Sequence, residues 1–289
     1  MASASRKRLS TSESDPRQGA DAGVPCCVTA VSHLYGERTV LDNVSFTVAS
    51  GEMVAIVGPS GAGKTTLLRL VAGMLGPVVG DIYVYGVRPF EIADAAARTE
   101  LVGMMQQRLD LVPQLSARHN VDAGMLGRWS LLRSLAGLLL PVAYEPTTSA
   151  LERVGLAGRE SDRVGRLSGG EQQRVALARV LVQDPKLILA DEPVSSLDPA
   201  LADELLSLFR SVVQERGRSV IATLHNPDLA RRHFDRVIGL RHGRLVFDVS
   251  SADLTAGLLA ELYGTALPDS PVVTVDSPGV TRSPGPWVD

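Results

Sequence analysis

The sequence predicts an α/β fold: a mostly parallel sheet carrying a phosphate loop, with an antiparallel β lobe and an inserted helical subdomain. Three observations carry this expectation. Residues 53–57 are an apolar run of strand length, followed by a glycine-rich loop and then by helix formers up to Gly73. Residues 187–190 and 219–224 are likewise apolar without alternation, as strands buried on both faces are. From Leu109 to about Arg179 the pattern turns mainly helical, broken at Pro113, Pro141 and Pro146.

The remaining elements follow in order. Residues 28–34 and 44–48 alternate as two antiparallel strands, with a turn at Gly36 and residues 41–43 as a connecting segment. Residues 80–86 form a short strand bounded by glycines, residues 91–100 a helix, and residues 101–105 a strand ending at Gln106 and Gln107. Asp198 and Pro199 start an amphipathic helix that Gly217 stops. Residues 237–240 and 245–247 flank a hairpin turn at Gly243. Residues 1–24 and 268–289 have the composition of disordered segments, leaving one domain over 25–267 with a helical subdomain at about 107–180.

The loop comprises Gly58, Pro59, Ser60, Gly61, Ala62, Gly63, Lys64, Thr65 and Thr66, a full match to G-x-x-x-x-G-K-[ST]. Its glycines let several backbone N–H groups converge on one anion, and the following helix adds its dipole. Lys64 is one of only three lysines among 29 basic residues. It is placed to reach the β- and γ-phosphates of a nucleotide, with the Thr65 hydroxyl completing a Mg²⁺ shell. A second signal is Ser168, Gly169, Gly170 and Glu171, a capping box whose paired glycines leave a helix N-terminus bare. A third is Asp191 and Glu192 at the carboxyl end of a buried strand, where ligands of open α/β sheets collect. Asp191 suits a metal reached through water, and Glu192 can take a proton from an attacking water. His225 ends the 219–224 strand, in reach of a γ-phosphate, and Tyr35 ends the first strand, where an exposed ring can stack on a purine.

Composition excludes several classes. The net charge of −3 and the absence of basic runs from the body of the chain argue against a nucleic-acid partner. Cys26 and Cys27 are adjacent, which suits neither a disulfide nor a metal site and fits a reducing compartment. No apolar run reaches the ~18 residues of a membrane span, and the first residues lack a signal-peptide core, so a partner must hold the chain at any membrane it serves.

In order, Tyr35, the 58–65 loop, Gln106, the Leu167 to Glu171 segment, Asp191 and Glu192, Ser196 to Asp198 and His225 resemble the nucleotide-binding subunit of an ABC transporter, over about residues 28–264. The resemblance implies that Tyr35 stacks on the adenine of ATP and that residues 58–66 hold the triphosphate and Mg²⁺. Gln106 would sense the metal and the attacking water, Asp191 support Mg²⁺, Glu192 act as base and His225 contact the γ-phosphate. Ser168 and Gly170 would act on the nucleotide of the opposite subunit, so that two chains pair head to tail over two ATP molecules. Gly169 and Asp198 count with the nucleotide-binding residues on the same ground. It further implies membrane permease subunits, indirectly a solute-binding protein, and a peripheral position on the cytoplasmic face of the plasma membrane.

A narrower set is similar to phosphonate-import ATPases: Gln106 and Gln107, Leu115 and Ser116, Asn120 and Val121, the 126–128 and 132–135 segments, Ala190 to Pro193, and residues 228–231 and 235–241. Met105 stands where that family usually has Phe, and the run after Gln107 is one residue longer. The expected function is an energy-coupling subunit that imports phosphonates or related organic phosphates. Import of another solute, or a regulatory ATPase at the membrane that moves no solute, would use the same motifs.

Overall fold

A computed structural model describes residues 21–127 and 144–264. The leader through residue 20, the leucine-rich run 131–140 and the tail from 268 lie outside the described residues. Among those described there are two sheets. The smaller has the order β2-β1-β4, with β1 (Cys26–Tyr35) between β2 (Arg38–Val48) and β4 (Val79–Tyr83), all antiparallel. Here β2 differs from expectation, because it runs through residues 41–43 without a break. Leu41 is fully buried opposite His33, and Asn43, at φ +52°, lies within the shift in register that follows. Burying Leu41 keeps this polar stretch in the sheet despite Asp42 and Asn43.

The larger sheet has the order β5-β6-β7-β3-β8-β9: Val102–Met105, Leu187–Asp191, Ser219–Leu224, Met53–Val57, Arg236–Arg241 and Arg244–Ser250. All neighbours are parallel except β9, which folds back on β8. Unbroken apolar runs are explained by a core on each face. In β3, Met53, Ala55 and Val57 face one core while Val54 and Ile56 face the other, and β6 divides Ile188 and Ala190 from Leu187 and Leu189 in the same way. Both faces are thus removed from water, which polar residues without hydrogen-bond partners could not tolerate.

The helices are α1 (Lys64–Val71), α2 (Ala95–Leu101), α3 (Ala117–Asp122), α4 (Glu145–Arg153), α5 (Gly169–Leu181), α6 (Pro199–Arg216), α7 (Pro227–His233) and α8 (Ala256–Tyr263). Helix α2 starts later than its expected 91, because Asp94 caps it by accepting from the Ala96 N–H at 3.0 Å. The helical stretch expected from Leu109 begins only at Ala117, where Ser116 caps α3. Helices α7 and α8 span two turns each, too short for their period to stand out in the sequence. Among the described residues no helix is long and apolar enough to cross a membrane. Cys26 and Cys27 are free and buried in β1, and burial pushes the Cys26 thiol up, with Cys27 adding to it. Both act as small core residues.

Candidate functional site

Four adjacent parallel strands, β5, β6, β7 and β3, end at one edge of the larger sheet. Their carboxyl ends deliver Gln106 and Gln107, then Asp191 and Glu192, then Thr223 and His225, then the phosphate loop. The topology therefore brings together residues scattered over more than 150 positions of chain.

Two loop glycines are required by close packing. A Cβ on Gly58, at φ +155°, would sit 2.0 Å from the Leu240 carbonyl oxygen of β8. One on Gly63, at φ +106°, would sit 2.7 Å from the Leu41 side chain of β2. The loop is clamped between the two sheets. Helix α1 starts at Lys64 with no side-chain cap and no acidic residue in its first turn, so its N–H groups are left for an anion. Lys64 is buried, and its ammonium donates to the carbonyls of Gly58 (2.8 Å) and Pro59 (3.2 Å). Burial pulls its pKa down, while Glu192 and Asp191 hold it up.

The two acids are fixed by a residue that the motifs do not reveal. Thr223, the β7 partner of Asp191 in register, donates to Asp191 Oδ1 at 2.7 Å and accepts from the Glu192 N–H at 2.8 Å. Thr65 donates to the same Oδ1 at 3.2 Å. These groups are oxygen donors throughout, which suits a hard divalent cation. Glu192 has φ +51°, a left-handed conformation that costs a non-glycine residue about 1–3 kcal/mol. That twist turns its carboxylate to His225, whose Nε2 is 2.5 Å from Oε1, and to Gln107, whose Nε2 donates to Oε2 at 2.6 Å. Gln107, the neighbour of the expected sensor Gln106, is thus the residue that reaches the acid. Adjacent residues leaving a strand point to opposite sides, and Gln106 is absent from the cleft wall.

The resulting cleft of about 440 Å³ runs from Tyr35 and Arg38 past the loop to Gln107, Glu192 and His225. Tyr35 keeps 47% of its surface exposed there, and Arg38 is its cross-strand partner.

Comparison with known proteins identifies this arrangement. A profile described as ABC transporter matches residues 41–195, more than half of the chain. The chain belongs to the ABC transporter family. It is 43% identical to the phosphonates import ATP-binding protein PhnC 2 of Pseudomonas aeruginosa (strain UCBPP-PA14), over 80% of this chain and 87% of that protein. It is 39% identical to the phosphonates import ATP-binding protein PhnC of Rhizobium meliloti (strain 1021), over 88% and 95%. Among solved structures it resembles the ABC cassette MJ0796, a dimer in a post-hydrolysis state with ADP and Pi (TM-score 0.65, 28% identity, 78% of this chain and 98% of that one). It also resembles CbiO1 of Clostridium perfringens, part of the ABC transporter complex CbiONQ (TM-score 0.69, 25% identity, 80% and 90%). The chain is an ATPase of the ABC type.

Within this ABC ATPase, Ser168, Gly169 and Gly170 do not line the cleft. The Ser168 hydroxyl accepts from the Glu171 N–H at 3.3 Å, and the Glu171 carboxylate accepts from the Ser168 N–H at 2.8 Å, closing the capping box. The Ser168 N–H holds the Glu171 carboxyl below its ordinary pKa, with Arg159, 2.9 Å away, adding to it. The two glycines differ. A Cβ on Gly169 would meet open space, whereas one on Gly170 would lie 3.1 Å from Leu201 of α6. Gly170 thus lies close against α6, and of the two Gly169 is the open position. Asp198 is exposed, and its carboxylate caps α6 by accepting from the N–H groups of Ala200 (3.0 Å) and Leu201 (3.1 Å).

Proposed function

We propose that this ABC ATPase is the energy-coupling subunit of an importer for phosphonates or related organic phosphates. The observation that carries the substrate is the 43% identity to a phosphonates import ATP-binding protein, spanning 87% of its length. In this reading ATP lies along the cleft, its adenine on Tyr35 and its triphosphate in the loop under Lys64. Gly58, Pro59, Ser60, Gly61, Ala62, Gly63 and Thr66 shape the phosphate cradle. Thr65 and Asp191 would hold Mg²⁺, which neutralises phosphate charge when bound.

Glu192 takes the proton of a water that attacks the γ-phosphorus in line, as the bond to the ADP oxygen breaks. His225 and Gln107 hold one carboxylate oxygen each and set its direction. Catalysis rests mainly on positioning, which the rigid strand ends provide. Gln107 takes the sensing role expected of Gln106.

Ser168, Gly169 and Gly170 meet the nucleotide of a second copy of the chain, paired head to tail. Permease subunits hold the pair at the cytoplasmic face of the membrane and bind near residues 107–145, downstream of the γ-phosphate sensor. Leu109 and Leu111 pack partly against the core, so charged substitutions there would also disturb folding. Val112, 46% exposed, is the cleaner probe of the coupling surface. Deleting the gene should abolish growth on an alkylphosphonate as sole phosphorus source while sparing growth on inorganic phosphate. Normal phosphonate growth, with no second importer present, would remove the substrate and leave the ATPase.

A further inference from the structure

We infer that His33 is a positioning residue for base recognition, holding the ring of Tyr35 as the platform for adenine. The inference rests on the reading of Tyr35 given above. The two residues lie two apart on β1 and so share a face of the strand. Their ring centroids are 5.0 Å apart with planes at 82°, an edge-to-face pair. His33 is the buried member at 7% exposure, while Tyr35 projects into the cleft at 47%.

The imidazole is fixed from the interior. Its Nδ1 is 3.1 Å from the carbonyl oxygen of Gly76, and a carbonyl only accepts, so Nδ1 carries the hydrogen. Nε2 is buried without a partner. A buried ring with one bonded and one bare nitrogen is held for its shape and its single donor. Gly76 in turn packs closely against Phe90. A Cβ there would come within 2.8 Å of the Phe90 ring, which covers it. Gly76 also lies five residues beyond the end of α1, the helix that begins at Lys64. A continuous contact path therefore joins the phosphate-binding helix, through Gly76 and His33, to Tyr35. It sets the distance and tilt between the phosphate end and the base end of the nucleotide. Leu in place of His33 would fill the volume but give neither donor nor flat edge.

The test uses the purified full chain and calorimetric titration with ATP and with tripolyphosphate, which lacks base and sugar. His33→Leu and His33→Gln should both weaken ATP binding about two- to ten-fold, the usual range for loss of one aromatic pair. Tripolyphosphate binding and kcat at saturating ATP should stay unchanged. His33→Phe, which restores the ring edge but not the donor to Gly76, should recover part of the affinity, and His33→Leu in a Tyr35→Ala chain should cost nothing further. If Tyr35→Ala weakens ATP but His33→Leu does not, the positioning role is wrong and the adenine platform stands. An equal loss for tripolyphosphate would also overturn it, because His33 would then act through the fold. If Tyr35→Ala itself leaves ATP affinity unchanged, the platform falls and this inference with it.

Discussion

The starts of α1 and α5 are both helix N-termini built with glycine, Gly63 just before α1 and Gly169 and Gly170 opening α5, yet their surroundings differ. At α1 the first turn has neither cap nor carboxylate, Lys64 is buried beneath it, and the ends of neighbouring strands supply two acids and a histidine. At α5 the Ser168 hydroxyl and the Glu171 carboxylate take up the N–H groups of Glu171 and Ser168, Arg159 pairs with Glu171, and Ser168 and Gly169 face solvent. A helix end with a carboxylate in its own first turn offers less field to a free anion. The contrast teaches that the first site can gather a triphosphate by itself. On the proposed reading, the second meets a phosphate held by another copy of the chain.

The largest effect should come from breaking the chemistry at the first site. Glu192→Gln keeps shape and hydrogen bonding but cannot accept a proton, so turnover should fall by ~10²–10⁴. ATP binding should persist; phosphate release within a few-fold of wild type would end the role of base. Next comes Gly169→Asp at the second site. The open position accepts the side chain, and a carboxylate at a helix N-terminus is tolerated or stabilising, so the fold should hold. Facing a partner's γ-phosphate, however, like charges across an interface cost several kcal/mol, so hydrolysis should drop ~10²-fold with the isolated chain's ATP affinity near normal. Gly170→Asp is a poorer test, since Leu201 would have to move.

A smaller effect is expected at Thr223, which serves the first site alone. Thr223→Val keeps the volume but leaves the buried Glu192 N–H without an acceptor, a loss of about 1–3 kcal/mol of stability in denaturant unfolding. An unchanged midpoint would mean that the left-handed turn at Glu192 is held by other contacts. The smallest is Tyr35→Ala, which should raise the KM for ATP by roughly two- to ten-fold and spare kcat. A larger fall in kcat than in affinity would place the ring nearer the chemistry than the structure does.

The first site was largely legible because its parts are local in sequence. A glycine loop between strand and helix, and two acids ending an apolar run, carry their meaning within a few residues. What escaped depends on distance or direction. Thr223 is a single polar residue in an apolar strand, and its value appears only when β7 registers it beside Asp191. Gln106 and Gln107 are the same residue type, and the exit of β5 decides which faces Glu192. The second glycine of the α5 start reads as anion-binding, and its close approach to Leu201, thirty-one positions away, appears only in the fold. Likewise the polar pair Asp42 and Asn43 reads as a loop, and burial of Leu41 holds it in β2.

The claim that α5 acts on a partner's nucleotide is tested most directly by mass in solution. Light scattering on the Glu192→Gln chain should show a monomer without nucleotide and a dimer with ATP. Adding Gly169→Asp to that chain should leave it monomeric at ATP concentrations that calorimetry shows to saturate the site. A Glu192→Gln, Gly169→Asp chain that still dimerises with ATP would contradict the account.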